Sequence, residues 1–345
     1  MPSNSPADNP LDSTSSAPSL VIGAAFTLDD SQAPNLKTMS RRNVYWQNIA
    51  VMMATARMFA PAGAELIVFS TDPPTKEAAP ILAAVDANIV DTPFQYRPPK
   101  NFYHAFNGAF YLLDAMNWCA ANRAKNCDYL FLDPDCVMTG DINAMQATLR
   151  TSDIIAYELP YRRDWRNSGL LHDDLCALCR EFSGRADTSG VKQYGGELYA
   201  FNATGLQQLT SALPEVWEAN LARFAAGKAK FNTEEHLISY LFWRDAPRIY
   251  DAKGRFVKRF WTGTRYRNYR KGEEALPVWH LPAEKDRGIP RIFKDIETQK
   301  FGLTSTDREK TKRYLASSLG LQGDWSREIC FRFLSMMGKS WQGLP

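Results

Sequence analysis

A chain of 345 residues with 45% apolar and 23% charged residues can bury a large core, and it is long enough for one big domain with attachments or for two smaller ones. The formal charge of +3 argues against a dedicated nucleic-acid binder while leaving room for local basic patches that meet phosphates. No uninterrupted apolar run approaches the roughly 18 to 20 residues of a membrane span, so the expected location is the cytoplasm, with peripheral contact at the inner membrane face as an option.

In chain order, residues 1–18 are rich in Ser, Pro, Asn and Asp and lack the positive start and apolar core of a secretory signal, which predicts a disordered leader. The run SLVIGAAFTL, from Ser19 to Leu28, reads as a strand that stops at Asp29 and Asp30. After a polar link with Pro34, Tyr45, Ile49, Met52, Ala56 and Phe59 recur at helical spacing up to Pro61. AELIVFSTD is the next buried strand, PILAAVDA a short helix and ANIVDTPF a third strand, which together make βαβ units. Asn101 to Asn122 turns helical, and CDYLFLD is a fourth strand. TSDIIAYEL follows as a fifth, then a loop containing YRRDWRNSG and a helix whose Leu171, Leu175, Leu178 and Phe182 form a stripe. GGELYAFN reads as a sixth strand, helical patterns continue to about Arg244, and short strands run through RIYDA, FVKRFW and PVWHL.

Strands alternating with helices predict an α/β fold with a doubly wound, mixed and mostly parallel sheet flanked by helices. Ligands of such sheets bind beyond the carboxyl ends of the strands, where Asp29, Asp72, Asp133 and Asp135 all stand. Beyond Pro290 only helical patterns remain. The last, WSREICFRFLSMMGKSW, sets Trp325, Ile329, Phe333 and Met336 on one face with Arg327, Arg332 and Lys339 among them; it reads as a packed helix or as a peripheral membrane contact. The six cysteines lack the spacing of a disulfide framework and are expected as reduced thiols. His172, Cys176 and Cys179 share a helix face, but no fourth ligand accompanies them, and buried thiols are the commoner outcome.

The stretch CDYLFLDPDCVMTGDI ends a hydrophobic strand on two aspartates separated by one proline. Burying both costs several kcal/mol each, roughly, unless positive charge lies opposite. A divalent metal is the natural counter-charge, and carboxylates one residue apart, with the backbone turning at Pro134, can both face one crevice. Such a metal can neutralise a diphosphate leaving group as a glycosidic bond breaks.

YLFLDPDCVMTGDI resembles the DxD region of nucleotide-sugar glycosyltransferases of the GT-A fold, in which a similar YLDADxxxxGDI string is common. The resemblance runs through the order of several motifs from Ser19 to Lys285. Gly195-Gly196-Glu197 is similar to the glycine-rich loop, with Glu197 as a contact to sugar hydroxyls. Thr233-Glu234-Glu235 opens an apolar helix like the acidic motif, and His280 after a short strand, with Lys285 close behind, is similar to the histidine that completes the metal site. The family pattern has aspartate where Glu235 stands.

The resemblance implies a GT-A catalytic domain over residues 19–289, with a C-terminal helical extension over 290–345. It implies a metal-dependent glycosyltransferase of polysaccharide or glycoconjugate synthesis. Asp133, Asp135 and His280 would hold Mn2+ or Mg2+, and Glu235, with Glu234 next, would be the base if the reaction inverts the anomeric centre. Asp29, Gly195, Gly196, Glu197 and Lys285 would meet donor or acceptor. The implied partners are a nucleotide-sugar donor, UDP-sugars first, and a glycan or lipid-linked acceptor, with no nucleic acid.

Two further regions can handle phosphates: Arg41 with Arg42, and KGRFVKRFWTGTRYRNYRK, where cations interleave with Phe256, Phe260, Trp261, Tyr266 and Tyr269. A solvated hairpin with ordinary aromatic packing explains the second equally well. A HAD-type phosphatase using Asp133 and Asp135 also fits LFLDPDCV, although three strand-helix units precede it here. A non-catalytic glycan-binding protein of the same fold is the remaining alternative.

Overall fold

The apolar runs of the N-terminal half become strands because they are blocks of β-branched and aromatic residues, buried on both faces of a sheet. The computed structural model describes residues 19–28, 40–123, 126–245, 247–263, 266–300, 302 and 307–321. Its elements, in chain order, begin with β1 (Ser19–Phe26), α1 (Arg41–Phe59), β2 (Glu65–Ser70), α2 (Ala78–Ala84), β3 (Ala87–Val90), α3 (Tyr111–Asn122) and β4 (Cys127–Leu132). Then come β5 (Cys136–Met138), α4 (Asn143–Leu149), β6 (Ile154–Glu158), α5 (His172–Ser183), β7 (Tyr194–Phe201), α6 (Ala203–Ala225) and α7 (Glu234–Asp245). The chain continues through β8 (Ile249–Asp251), β9 (Val257–Arg259), β10 (Val278–His280), α8 (Gly288–Glu297) and α9 (Arg308–Ser318).

The main sheet has seven strands among the described residues, in the order β3-β2-β1-β4-β7-β6-β8. All neighbours pair parallel except β7, which runs antiparallel to both β4 and β6. The sheet is therefore mixed and mostly parallel, as expected. Side-chain alternation divides it into two faces. Leu20, Ile22, Ala24, Leu66, Val68, Leu130 and Leu132 bury with α1 and α8, whereas Val21, Ile67, Phe69, Tyr129 and Phe131 bury with α3, α6 and α7.

β1 connects onward to β2 on one side, and β4 lies on its other side. The strand order thus reverses between β1 and β4, which opens a crevice past their carboxyl ends.

A smaller sheet, β5-β10-β9, stands beside this crevice. β5 is three residues long and fully buried; its CVM sequence carries no signal that separates it from a loop, and the sequence reading passes over it. The helix expected from Asn101 starts later, with a 3-10 turn at Asn107–Phe110 that leads into α3. The boundary expected at 289/290 falls inside α8, whose Ile289, Ile292, Phe293 and Ile296 bury in the same cluster as α1. The α8 segment is thus continuous with the main core. Residues 1–18 and the last predicted helix, with Trp325 and Phe333, lie outside the described residues. No described helix is long and apolar enough to cross a membrane.

Candidate functional site

At the end of β4 the chain makes a tight turn in which Cys136 N–H donates to the Asp133 carbonyl at 2.9 Å. Pro134 occupies the second turn position, where its fixed φ is already suitable. β5 then leaves the main sheet and pairs antiparallel with β10, opposing Cys136 to His280. Leu281 N–H donates to the Asp135 carbonyl at 3.1 Å, locking the histidine beside the turn. β9 runs parallel to β10 and sets Arg259 against His280, so Cys136, His280 and Arg259 form one row across three strands. The reversed β7 contributes from the other side: its early residues meet the end of β4, and Asp133 N–H donates to the Glu197 carbonyl at 3.3 Å.

These backbones converge a chain of charges. His280 Nε2 lies 3.4 Å from Asp133 Oδ2 and 3.2 Å from Asp135 Oδ1. Lys285 Nζ is 3.1 Å from Asp135 Oδ2, and His280 Nδ1 is 3.5 Å from Glu197 Oε1, which also pairs with Arg259 Nε. Asp135 and Glu197 are fully buried, while the Asp133 side chain is 34% exposed.

Burial opposes ionisation of Asp135, yet Lys285 and His280 hold its carboxyl well below the usual range. Burial likewise works against the His280 imidazolium, but Asp135, Asp133 and Glu197 outweigh it and raise its pKa well above the ordinary value. Arg259 and His280 lower the Glu197 carboxyl against its burial.

One ligand atom each from Asp133, Asp135 and His280 lies within 4.8 Å of the others, a group that could hold a metal ion. Three observations fit a divalent cation. Neither Asp135 oxygen accepts a directed hydrogen bond among the described residues despite full burial. The Glu197 carboxylate at Nδ1 leaves Nε2 aimed at the two aspartates, as the outer partner of a metal-bound histidine would. Carboxylate oxygens with a single imidazole suit a hard or borderline cation such as Mn2+ or Mg2+.

The group opens on a cleft of about 370 Å³. Ala25, Phe26 and Thr27 from the end of β1 line it, together with Asp133 and Asp135, Gly196, Glu234 and Glu235, and Tyr161 and Asn167 from the loop after β6. Glu234 and Glu235 open α7, where the unpaired N–H groups of a helix start favour acids. Gly196 N–H donates to Glu235 Oε1 at 2.8 Å. Burial and the neighbouring Glu235 push the Glu234 carboxyl well up. Burial also raises Glu235, moderated by Arg259.

The structure brings Asp133, Asp135, His280, Lys285, Gly196, Glu234 and Glu235 to one cleft. Asp29 lies outside the described residues. Glu197 does not meet the cleft: its carboxylate is enclosed by Arg259 and His280, so the expected contact with sugar hydroxyls gives way to a positioning role behind the histidine. Gly195 is explained by the same carboxylate, because a Cβ there would stand 2.1 Å from Glu197 Oε2 and 2.8 Å from Leu159 Cδ2. At Gly196 a Cβ would approach only the Glu234 and Glu235 oxygens, each at 3.6 Å. Gly195→Ala is expected to cost about 1–3 kcal/mol in urea unfolding, while Gly196→Ala stays near wild type. Equal stability of the two variants would contradict this packing.

The basic aromatic stretch is largely committed elsewhere. Phe256 and Phe260 are core residues, and Lys258 pairs with Glu273 at 2.5 Å. Of its residues, Arg259 and Trp261 line the cleft. Arg41 lines the cleft too, whereas Arg42 donates to the Pro73 carbonyl at 2.9 Å. His172, Cys176 and Cys179 make no metal group among the described residues; Cys179 is buried in the core and Cys176 Sγ sits 3.5 Å from His172 Nδ1. Sequence reading did not single out Tyr161, Asn167 or Arg259. Tyr161 and Asn167 had one usable signal, a loop directly after a strand of a parallel sheet.

No known protein family matches this chain, and no curated protein is similar to it. Among solved structures, the fold is similar to mouse xyloside xylosyltransferase 1 in its apo form, at 11% identity and a TM-score of 0.46, covering 77% of this chain and 97% of that one.

Proposed function

We propose that this chain is a metal-dependent glycosyltransferase of the GT-A type, which moves a sugar from a nucleotide-diphosphate donor to an acceptor hydroxyl. The observation that carries the reading is the convergence of Asp133, Asp135 and His280, from β4 and β10, on one point at the mouth of the cleft. A divalent cation held there would neutralise charge on the departing diphosphate. Lys285 fixes Asp135 as a carboxylate, and Glu197 fixes the ring of His280. Glu235, anchored by Gly196 N–H and raised in pKa by burial, takes the acceptor proton in an inverting reaction, with Glu234 beside it. The catalytic unit runs from residue 19 through α8, whose apolar side chains belong to the same core, and the acceptor is a glycan or lipid-linked glycan handled on the cytoplasmic side.

A phosphatase with Asp133 as nucleophile needs a proton for the leaving group, and Asp135 is a poor source because Lys285 and His280 keep it ionised. A non-catalytic glycan binder gives no reason for two aspartates and a histidine to crowd together. The deciding experiment is a thermal-shift panel of UDP, GDP, CMP and dTDP with and without Mn2+. One nucleotide is expected to raise Tm only when the metal is present. No shift with any of them would refute the proposal, and phosphate-ester hydrolysis that vanishes in Asp133→Asn would favour the phosphatase.

A further inference from the structure

Three stretches far apart in sequence line the cleft together with the metal group: Phe106 and Gly108 before α3, Asn167 and Ser168 after β6, and Thr233 and Glu234 at the start of α7. Two of them hold backbone that side chains resist. Phe106 has φ +59° and Ser168 φ +43°, and Gly169 follows at φ +88°. Such conformations persist where the surroundings over-determine them. The residue that the three stretches share is Lys230.

Lys230 stands outside the lining and is only 7% exposed. Burial draws its pKa down to about 8, so at neutral pH it keeps its charge. No carboxylate balances that charge among the described residues. Instead Nζ lies 3.6 Å from the ring centroid of Phe102, with the Tyr103 ring at 6.0 Å and the Phe224 ring at 5.9 Å. An aromatic face attracts a cation, the more so when both are out of water. One hydrogen bond is added, from Nζ to Asn232 Oδ1 at 2.9 Å.

That bond decides how the Asn232 amide lies. An ammonium has no acceptor and a carbonyl has no donor, so Oδ1 faces the lysine and Nδ2 donates to the Ser168 carbonyl at 3.0 Å. A Cβ on Gly169 would stand 2.9 Å from that Nδ2 and 3.1 Å from Tyr103 Oη, so the turn rests on the lysine's amide partner and on a ring of its cage at once. Tyr103 also reaches the remaining stretch: its carbonyl accepts from Asn107 Nδ2 at 3.0 Å, next to Phe106.

We infer that Lys230 is a positioning residue whose ammonium ties the rim of the cleft together, holding Phe102 and Tyr103 on one side and the Asn232 amide, with the turn at 168–169, on the other. The inference goes beyond sugar transfer and stands whichever molecule the cleft takes.

Hydrogen exchange read by mass spectrometry tests it on the full chain. Asn167 and Leu170 bond to each other across the turn, N–H to carbonyl at 2.8 and 2.9 Å, so residues 163–171 report its opening. Ala109 N–H, bonded to the Phe106 carbonyl at 3.0 Å, reports residues 101–110. Lys230→Met removes a hydrogen bond to a charged group together with the ring contacts of a cation, and it is expected to speed exchange at least about tenfold in both segments while β1 and β2 keep wild-type rates. Lys230→Arg keeps a cation and a donor and should stay within about threefold of wild type. Asn232→Asp separates position from stability. The new carboxylate pairs more strongly with Lys230 but sets an oxygen against the Ser168 carbonyl, so residues 163–171 should exchange about tenfold faster with no fall in Tm.

Wild-type exchange over residues 163–171 in Lys230→Met or in Asn232→Asp would overturn the inference, as would loosening spread evenly through β1 and β2. An arginine variant as loose as the methionine one would overturn it too, because charge would then not be what holds the rim. If Lys230→Met does not fold, Asn232→Asp carries the test.

Discussion

Asp135→Asn is expected to weaken Mn2+ binding, and the nucleotide binding that depends on it, by about a hundredfold, and also to destabilise the protein by about 3–5 kcal/mol. The two losses have separate origins. The carboxylate is fully buried between Lys285 Nζ at 3.1 Å and His280 Nε2 at 3.2 Å. An amide of the same shape removes the negative charge that both cations require, and it turns one acceptor into a donor facing an ammonium. Asp133→Asn should separate these effects. Its side chain is 34% exposed and, among the described residues, pairs with the imidazole at 3.4 Å, so its stability cost should stay below about 1 kcal/mol. Its loss of metal affinity should match that of Asp135→Asn. Urea unfolding and Mn2+ titration of both variants read the two quantities independently. An Asp135→Asn protein as stable as wild type would show that the buried charge is satisfied some other way; unchanged metal affinity would remove Asp135 from the ligand set.

The contrast between the two aspartates marks where sequence reasoning stops. That a hydrophobic run should end on Asp133 and Asp135 is visible in one line of text, because buried strands in a parallel sheet read as continuous apolar blocks. The site at their ends follows from topology. His280 could be chosen because it stands after a short strand and in the expected order. What brings it beside the two aspartates, however, is the pairing of β10 with β5, two three-residue strands whose register cannot be read from VWH and CVM. Glu197 illustrates the other limit. Its neighbours, two glycines and a strand, suggest a surface loop open to a sugar, but β7 runs antiparallel to β4 and its backbone pairs with Asp133. That pairing turns the carboxylate into the interior, and Gly195 is small to admit it. Local composition drew attention to Gly195 and Glu197 but could not give their facing, because which face a side chain occupies is set by pairing across the sheet. The basic stretch around Arg259 shows the same thing: eight cations are prominent in sequence, yet the β9 register sets Arg259 opposite His280 and against Glu197 while Lys258 goes to Glu273.

Arg259 gives the second large effect. Arg259→Met is expected to cost about 3–5 kcal/mol, because it leaves Glu197, 0% exposed, without the guanidinium that balances its charge. Among the described residues His280 is then the remaining cation in contact with Glu197, and its other nitrogen already faces Asp133 and Asp135. Replacing both partners, Arg259→Met with Glu197→Met, should recover most of the stability, since a buried ion pair exchanged for apolar side chains of similar volume is often neutral. The double variant should nonetheless bind Mn2+ about 10–100-fold more weakly than wild type, because His280 Nδ1 loses the carboxylate that fixes its ring. Unfolding free energies of wild type, both single variants and the double variant close a cycle that isolates the coupling between the two charges. A strongly destabilised double variant would mean that the pair contributes net stability rather than orientation. Recovery of stability together with wild-type Mn2+ affinity would show that the histidine is held without Glu197.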